Sequence, residues 1–274
     1  MIPQPLPQSL KHTLTAPFPS ALKRFSVGLL GALLLGASAQ AQTTITWETA
    51  HNITGDTDVL TTGTLVDAFN LGGSGVPATT VNGVTFSSFE FPGGDSSSIT
   101  LGNYSFMEDP GFLRFFNDLG NSDSGEFANL SASYQSLLSS TVGANNTITL
   151  TLTVSGLEAG NQYLFQWWNS VSGENDSFFS TATAGNALVL DSNTGDAVGA
   201  LGEYGVGYFT AIGSTMDIAF TGTDTPFLNA FQLRNVSAVP EPASAAAVFG
   251  MLALGAVMAQ RRPARREARY TNNL

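Results

Sequence analysis

The chain has 274 residues, 43% of them hydrophobic and only 11% charged, with a formal charge of −11; a chain of this length can bury a substantial core. Between residues 43 and 238 only Arg114 and Arg234 stand against nineteen carboxylates, which excludes nucleic acid as a partner, because phosphate backbones are bound by clustered Lys and Arg. Cysteine is absent and the histidines are His12 and His51, so disulfide frameworks, Cys-ligated zinc, iron–sulfur clusters and multi-histidine metal sites are excluded as well.

At the N-terminus, Lys23-Arg24 is followed by a continuous apolar run from Phe25 to Ala37 and then by Ala39-Gln40-Ala41. A positive flank, an uncharged apolar run and small residues at −3 and −1 make a secretory signal peptide. Cleavage by signal peptidase is expected after Ala41, leaving 1–41 as the leader and 42–238 as the exported body.

The body alternates apolar and polar residues at period two, the spacing of half-buried strands. Strands are predicted at 43–47 (TTITW), 84–91 (VTFSSFEF), 147–154 (TITLTLTV), 162–168 (QYLFQWW), 187–190, 206–212 (VGYFTAI), 216–220 (MDIAF) and 230–236 (AFQLRNV), with Gly- and Asn-rich turns between them. One stretch departs from this period. Phe127, Leu130, Tyr134, Leu137 and Leu138 recur at helical spacing, which predicts a single short helix over 127–138 plugging one end of a sandwich. Between two strong strands, Leu157, Gly160 and Tyr163 have the spacing of a tyrosine corner, in which the phenol hydroxyl returns to the turn backbone.

The C-terminal residues 239–274 have three parts: Pro240-Glu241-Pro242, an uncharged segment 243–259, and a basic tail 260–274 containing Arg261 and Arg262. At 1.5 Å per residue the middle part reaches about 25 Å, enough for a transmembrane helix across a thin bilayer, and the arginines would hold the tail on the cytoplasmic side. This arrangement resembles the PEP-CTERM sorting signal of exopolysaccharide-producing Gram-negative bacteria. The resemblance covers 239–274 and implies recognition by an exosortase-type membrane protease, transient anchoring in the inner membrane, and delivery to the cell surface or extracellular matrix. An ordinary C-terminal membrane anchor is the alternative. Within the body, the run from Gly156 to the closing strand Leu228-Asn229-Ala230-Phe231-Gln232-Leu233-Arg234 is loosely similar to galactose-binding-like and malectin-like jelly rolls. That similarity implies a glycan-binding fold and assigns no pocket.

Catalytic motifs are sparse. No G-x-S-x-G elbow occurs, and His51 follows the first strand as a loop histidine. Glu90, Glu108, Asp109, Glu174 and Asp176 are the acids nearest aromatic residues in sequence, but a two-acid glycosidase is defined by carboxylate separation and not by acid content. Calcium is the cofactor the composition permits, with Asp56 and Asp58 in one loop and Asp191 and Asn193 in another as candidate ligands; Asx-stabilised turns would use the same residues. For a sugar, Trp168 and Asn169 are the candidate contacts, because alternation places Tyr163, Phe165 and Trp167 on one face and Gln166 and Trp168 on the other. The sequence therefore describes an all-β, single jelly-roll-like β-sandwich with one short helix, between a signal peptide and a transmembrane helix. It is expected to be a non-enzymatic surface or matrix protein, structural or glycan-contacting, whose partner is extracellular polysaccharide. The alternative is an extracellular polysaccharide-active hydrolase or lyase with paired carboxylates.

Overall fold

Threonines alternating with valine, leucine and phenylalanine favour a pleated, half-buried backbone, and the computed structural model is built from such strands. It describes residues 42–91, 96–109, 111–120, 123–144, 148–222 and 225–237. The expected signal peptide 1–41, Pro240-Glu241-Pro242, the segment 243–259, Arg261 and Arg262 lie outside the described residues. Among those described, no helix is long and apolar enough to cross a membrane.

In chain order the strands are β1 (Thr46–Trp47), β2 (His51–Asn52), β3 (Thr64–Gly73), β4 (Thr79–Val81), β5 (Val84–Phe91), β6 (Ser98–Leu101), β7 (Tyr104–Asp109) and β8 (Arg114–Phe116). After a 3-10 turn at Phe127–Asn129 and helix α1 (Ala132–Leu138) come β9 (Thr141–Gly143), β10 (Thr149–Ser155), β11 (Gln162–Asn169), β12 (Phe179–Ala184) and β13 (Asn186–Asp191). The last four are β14 (Glu203–Thr210), β15 (Thr215–Gly222), β16 (Phe227–Leu228) and β17 (Ala230–Asn235). One sheet runs β1-β14-β11-β17-β3-β5-β4 with β2 also on β14, a second runs β13-β12-β15-β10-β7-β6, and β16-β9-β8 form a small third. Apart from the parallel pair β3 and β5, neighbouring strands are antiparallel.

The inward faces of the two larger sheets meet in one core. Leu150, Leu152 and Val154 of β10 and Phe106 of β7 are opposed by Phe165, Trp167, Phe231 and Phe89 from the other sheet. Trp167 and Phe220 meet edge to face with centroids 5.1 Å apart, as do Phe89 and Phe106 at 5.3 Å, the geometry that aromatic quadrupoles prefer. Gly205 and Gly207 of β14 make room here: a Cβ on the first would strike the Trp167 indole, and on the second Ile45 and Trp47. The predicted tyrosine corner closes the turn before β11, with the Glu158 N–H donating to the Tyr163 hydroxyl at 3.0 Å.

A second core lies on the outer face of the larger sheet, and it changes the predicted place of the helix. Alternation in β5 shifts phase across Ser87-Ser88, so that Phe89 and Phe91 enter the main core while Val84 and Phe86 face outward. Together with Trp168 of β11, Val81 of β4 and Ala230 of β17 they form an apolar patch that has to be covered. Helix α1 and the 3-10 turn cover it with Phe127, Leu130, Tyr134, Leu137 and Leu138. The helix therefore roofs a sheet face and does not plug an end of the sandwich. Its predicted span is also divided: Ser131 accepts the Tyr134 N–H on its Oγ at 3.1 Å and caps α1, which separates the helix from the turn before it.

Polar groups stitch this outer layer to the sheet. Trp168 Nε1 donates to the Tyr134 hydroxyl at 2.9 Å, which donates to Asp58 at 3.2 Å; Asp58 also accepts the Thr54 and Gly55 N–H groups. Burial pushes the Tyr134 hydroxyl well above the usual phenol range, and the Asp58 charge adds to the effect. Tyr104 is raised for the same two reasons, burial first and then Asp67, to which it donates at 2.9 Å. Tyrosines in the unfolded chain ionise near pH 10, so the contribution of these two is complete below about pH 10 and is lost as pH rises above it. Unfolding free energy from denaturant titrations should fall between about pH 10 and 12, and Tyr134→Phe should flatten that fall. A wild-type value constant over the interval would contradict this assignment.

Candidate functional site

Gly205, Gly207 and Phe209 of β14 face the core, whereas Tyr204, the buried Val206, Tyr208 and Thr210 lie on the other side of the strand. Antiparallel register sets Tyr208 between Thr46 of β1 and Leu164 of β11, and sets Thr210 opposite Gln162. This corner of the larger sheet holds a groove of about 270 Å³ lined by Thr44, Thr46, Gln162, Tyr208, Thr210 and Val236 among others. Tyr208 is 41% exposed. The groove thus offers one half-open aromatic ring ringed by three threonines and an amide, a chemistry suited to a sugar, whose C–H face stacks on the ring while its hydroxyls meet the rim.

Next along the same face comes a cluster of ionisable groups. The Glu48 N–H donates to the Val206 carbonyl at 2.9 Å, which sets Glu48 beside β14 between Tyr204 and Tyr208. His51 lies flat on Tyr204 with ring centroids 5.1 Å apart and meets Glu48 at 3.0 Å through Nε2. Burial pushes the hydroxyls of Tyr204 and Tyr208 up, and the Glu48 charge pushes both further. Glu203, paired in register with Asn52, accepts the Asp191 N–H at 2.7 Å. Burial raises its carboxyl, and that hydrogen bond and His51 draw it back.

The residues expected to contact a sugar are placed elsewhere. Alternation sends Trp168 to the outer face as predicted, but α1 closes over it, and both Trp168 and Asn169 are wholly buried. Trp168 spends its N–H on Tyr134, and Asn169 donates its amide to the Leu190 carbonyl at 3.0 Å. Neither can be a sugar platform in this fold. The proposed calcium ligands hold turns. Asp56 accepts the Ser131 hydroxyl, Asp58 closes the turn at Thr54-Gly55, and Asp191 Oδ1 accepts the Asn193 N–H at 2.9 Å, an Asx turn. Asn193 in turn donates to the Glu174 and Ala197 carbonyls. Among the described residues, no group of three or more His, Asp and Glu is gathered as a metal site. Of the acids near aromatics, Glu90 accepts the Gly75 N–H at 3.2 Å and Glu108 is buried. Tyr208, Tyr204 and Glu48 went unnoticed in the sequence, although the order Tyr208-Phe209 within an alternating strand already puts one of two adjacent rings outside.

The architecture is that of a β-sandwich. No protein family matches the chain, and no curated protein does. Among solved structures, a family GH115 4-O-methyl-α-glucuronidase with specificity for decorated arabinogalactans is 13% identical over 36% of this chain and 15% of its own, with a TM-score of 0.26. The enzymatically active domain of bacteriophage CBA120 tailspike protein 4 is 10% identical over 48% of this chain and 18% of its own, at 0.25. A carbohydrate-binding module solved with β-1,4-galactotriose is 10% identical over 48% of this chain and 88% of its own, at 0.20. This chain spans less than a fifth of the first two. Overlaps of this depth carry no argument about ligand or activity.

Proposed function

We propose that the protein is an exported cell-surface or extracellular-matrix component, sorted by its PEP-CTERM-like tail, whose β-sandwich contacts extracellular polysaccharide through the Tyr208 groove and performs no chemistry on it. The observation that carries the glycan reading is the half-exposed Tyr208 ring set among Thr44, Thr46, Thr210 and Gln162. The sorting reading rests on the order of Pro240-Glu241-Pro242, apolar segment and arginines behind a signal peptide.

The test is retention of the full-length chain, purified in mild detergent, on polysaccharide from the producing cells. Tyr208→Ala should lower the affinity about tenfold, in keeping with one stacking ring of about 1.4 kcal/mol, and should leave the unfolding midpoint nearly unchanged because the ring is half in water. Unchanged retention would remove the groove from the reading. New reducing ends or unsaturated products in the same incubation would replace binding by a hydrolase or lyase activity. Sorting is checked with a reporter fused behind Leu274, which should stay cytoplasmic while residues 42–238 reach the surface.

A further inference from the structure

We infer that the Tyr208 groove selects sugars carrying a free amine, held as an ammonium between the Glu48 carboxylate and the Tyr208 ring; the inference rests on the glycan reading of the same groove. Its first support is placement. Thr46 and Glu48 lie two residues apart and so on the same outward side of the chain. Thr46 pairs with Tyr208, and the Glu48 N–H is fixed to the Val206 carbonyl at 2.9 Å. The backbone of Glu48 is therefore fixed just beyond the Thr46–Tyr208 end of the groove, between two outward-facing tyrosines, and its carboxylate, on a side chain 44% exposed, meets His51 Nε2 through one oxygen at 3.0 Å. A half-desolvated anion beside aromatic faces is a receptor for a compact cation, which gains from the carboxylate charge and from the negative ring face together. The upward push that Glu48 exerts on both tyrosine hydroxyls agrees with this closeness.

The second support is the field around the groove. Residues 43–238 carry nineteen carboxylates and two arginines, and one of these, Arg234, is buried with its guanidinium turned to the carbonyls of Thr61, Thr62 and Gly63. Exposed positive charge to receive a uronic acid is nearly absent among the described residues, so a polyuronate meets repulsion and an amino-bearing polymer meets attraction. A neutral sugar would use the ring and the threonines but would leave the Glu48 carboxylate to His51 alone.

Three oligosaccharides separate these cases by calorimetry on the full-length chain in mild detergent at about 0.15 M salt, where distant charges are screened: a glucosamine hexamer, its fully N-acetylated counterpart and a galacturonic acid hexamer. The amine form should bind about fivefold or more tighter than the acetylated form, as one cation–π and carboxylate contact provides, and the uronate should not bind. Glu48→Gln should abolish the amine preference. Asp217→Asn removes the same charge from the other sheet, where Asp217 is exposed and accepts the Thr153 hydroxyl at 2.7 Å, and should preserve the preference. Equal affinity for amine and acetylated forms, or equal losses in Glu48→Gln and Asp217→Asn, would overturn the amine inference while Tyr208-dependent binding kept the glycan reading. If no oligosaccharide and no native polysaccharide bound in a Tyr208-dependent way, both would fall.

Discussion

Trp168→Ala lowers the unfolding free energy by about 3–5 kcal/mol, the range for deleting a fully buried large aromatic. The indole is wholly buried between the sheet and its helical roof, meeting Phe86 edge to face at a centroid distance of 5.6 Å. Its loss opens a cavity under α1 and leaves the Tyr134 hydroxyl without the N–H that donates to it. That hydroxyl still has Asp58 as acceptor, so the polar part of the loss is small and the cavity dominates. Trp168→Phe fills most of the space and should cost less than half as much. Denaturant midpoints measure both. The result also separates the two candidate sugar sites: Tyr208→Ala should reduce glycan retention at unchanged stability, and Trp168→Ala should reduce stability first. A Trp168→Ala chain with the wild-type midpoint but no glycan retention would show the indole open to ligand, against the closed outer layer described above.

The same residue shows where the sequence was readable and where it was not. Alternation located most of the long strands to within a residue or two: 84–91 is β5, 162–168 lies within β11 and 216–220 lies within β15. It even put Trp168 on the correct face. What alternation cannot see is a second layer, because period two says which way a side chain points and not what covers it. The roof was encoded separately, in the helical spacing of 127–138, and nothing local joined that helix to Trp168; the joint is the Trp168 N–H donated to the Tyr134 hydroxyl, which in turn donates to Asp58, more than 100 residues from β11 in the chain. Strand β3 was missed for a related reason. Its sequence, Thr64 to Gly73, breaks phase at a bulge opposite Leu233 and Arg234, so Leu65 joins the outer core while Phe69 and Leu71 join the inner one. The groove was missed because the eye follows paired tryptophans, whereas the exposed ring belongs to a Tyr-Phe pair whose phenylalanine faces the core.

Arg234 is the other residue whose replacement should cost most, and its side chain explains how the loop before β3 is held. It is buried, and among the described residues its partners are neutral oxygens: Nε donates to the Thr62 carbonyl at 2.8 Å, Nη2 to Thr61 and Gly63 at 2.9 and 3.0 Å, and Nη1 to Gln232 Oε1 at 3.1 Å. Gln232 continues the ladder to Leu60 and to Gln166, which donates to the Asp58 carbonyl at 2.7 Å. One planar fork therefore satisfies three successive carbonyls of a loop that has no strand partner to receive them. Burial pulls the guanidinium below the usual arginine range, but it stays charged throughout the physiological range because its starting value is so high. Arg234→Met keeps the length of the stem and removes every donor. Three carbonyls and Gln232 Oε1 then lose partners at about 1–3 kcal/mol for each that water cannot reach. Since the loop side is partly open, the expected net loss is about 3–5 kcal/mol, constant between pH 5 and 9 because the lost charge does not titrate there. Arg234→Lys should recover only part of it, since a single ammonium cannot span three carbonyls as the fork does. Hydrogen exchange provides the local readout. The Leu60 amide, which donates to Gln166 Oε1 at 3.1 Å, should lose protection in Arg234→Met well before the amides of β10, and equal protection in both chains would show that the loop is held by something other than this ladder.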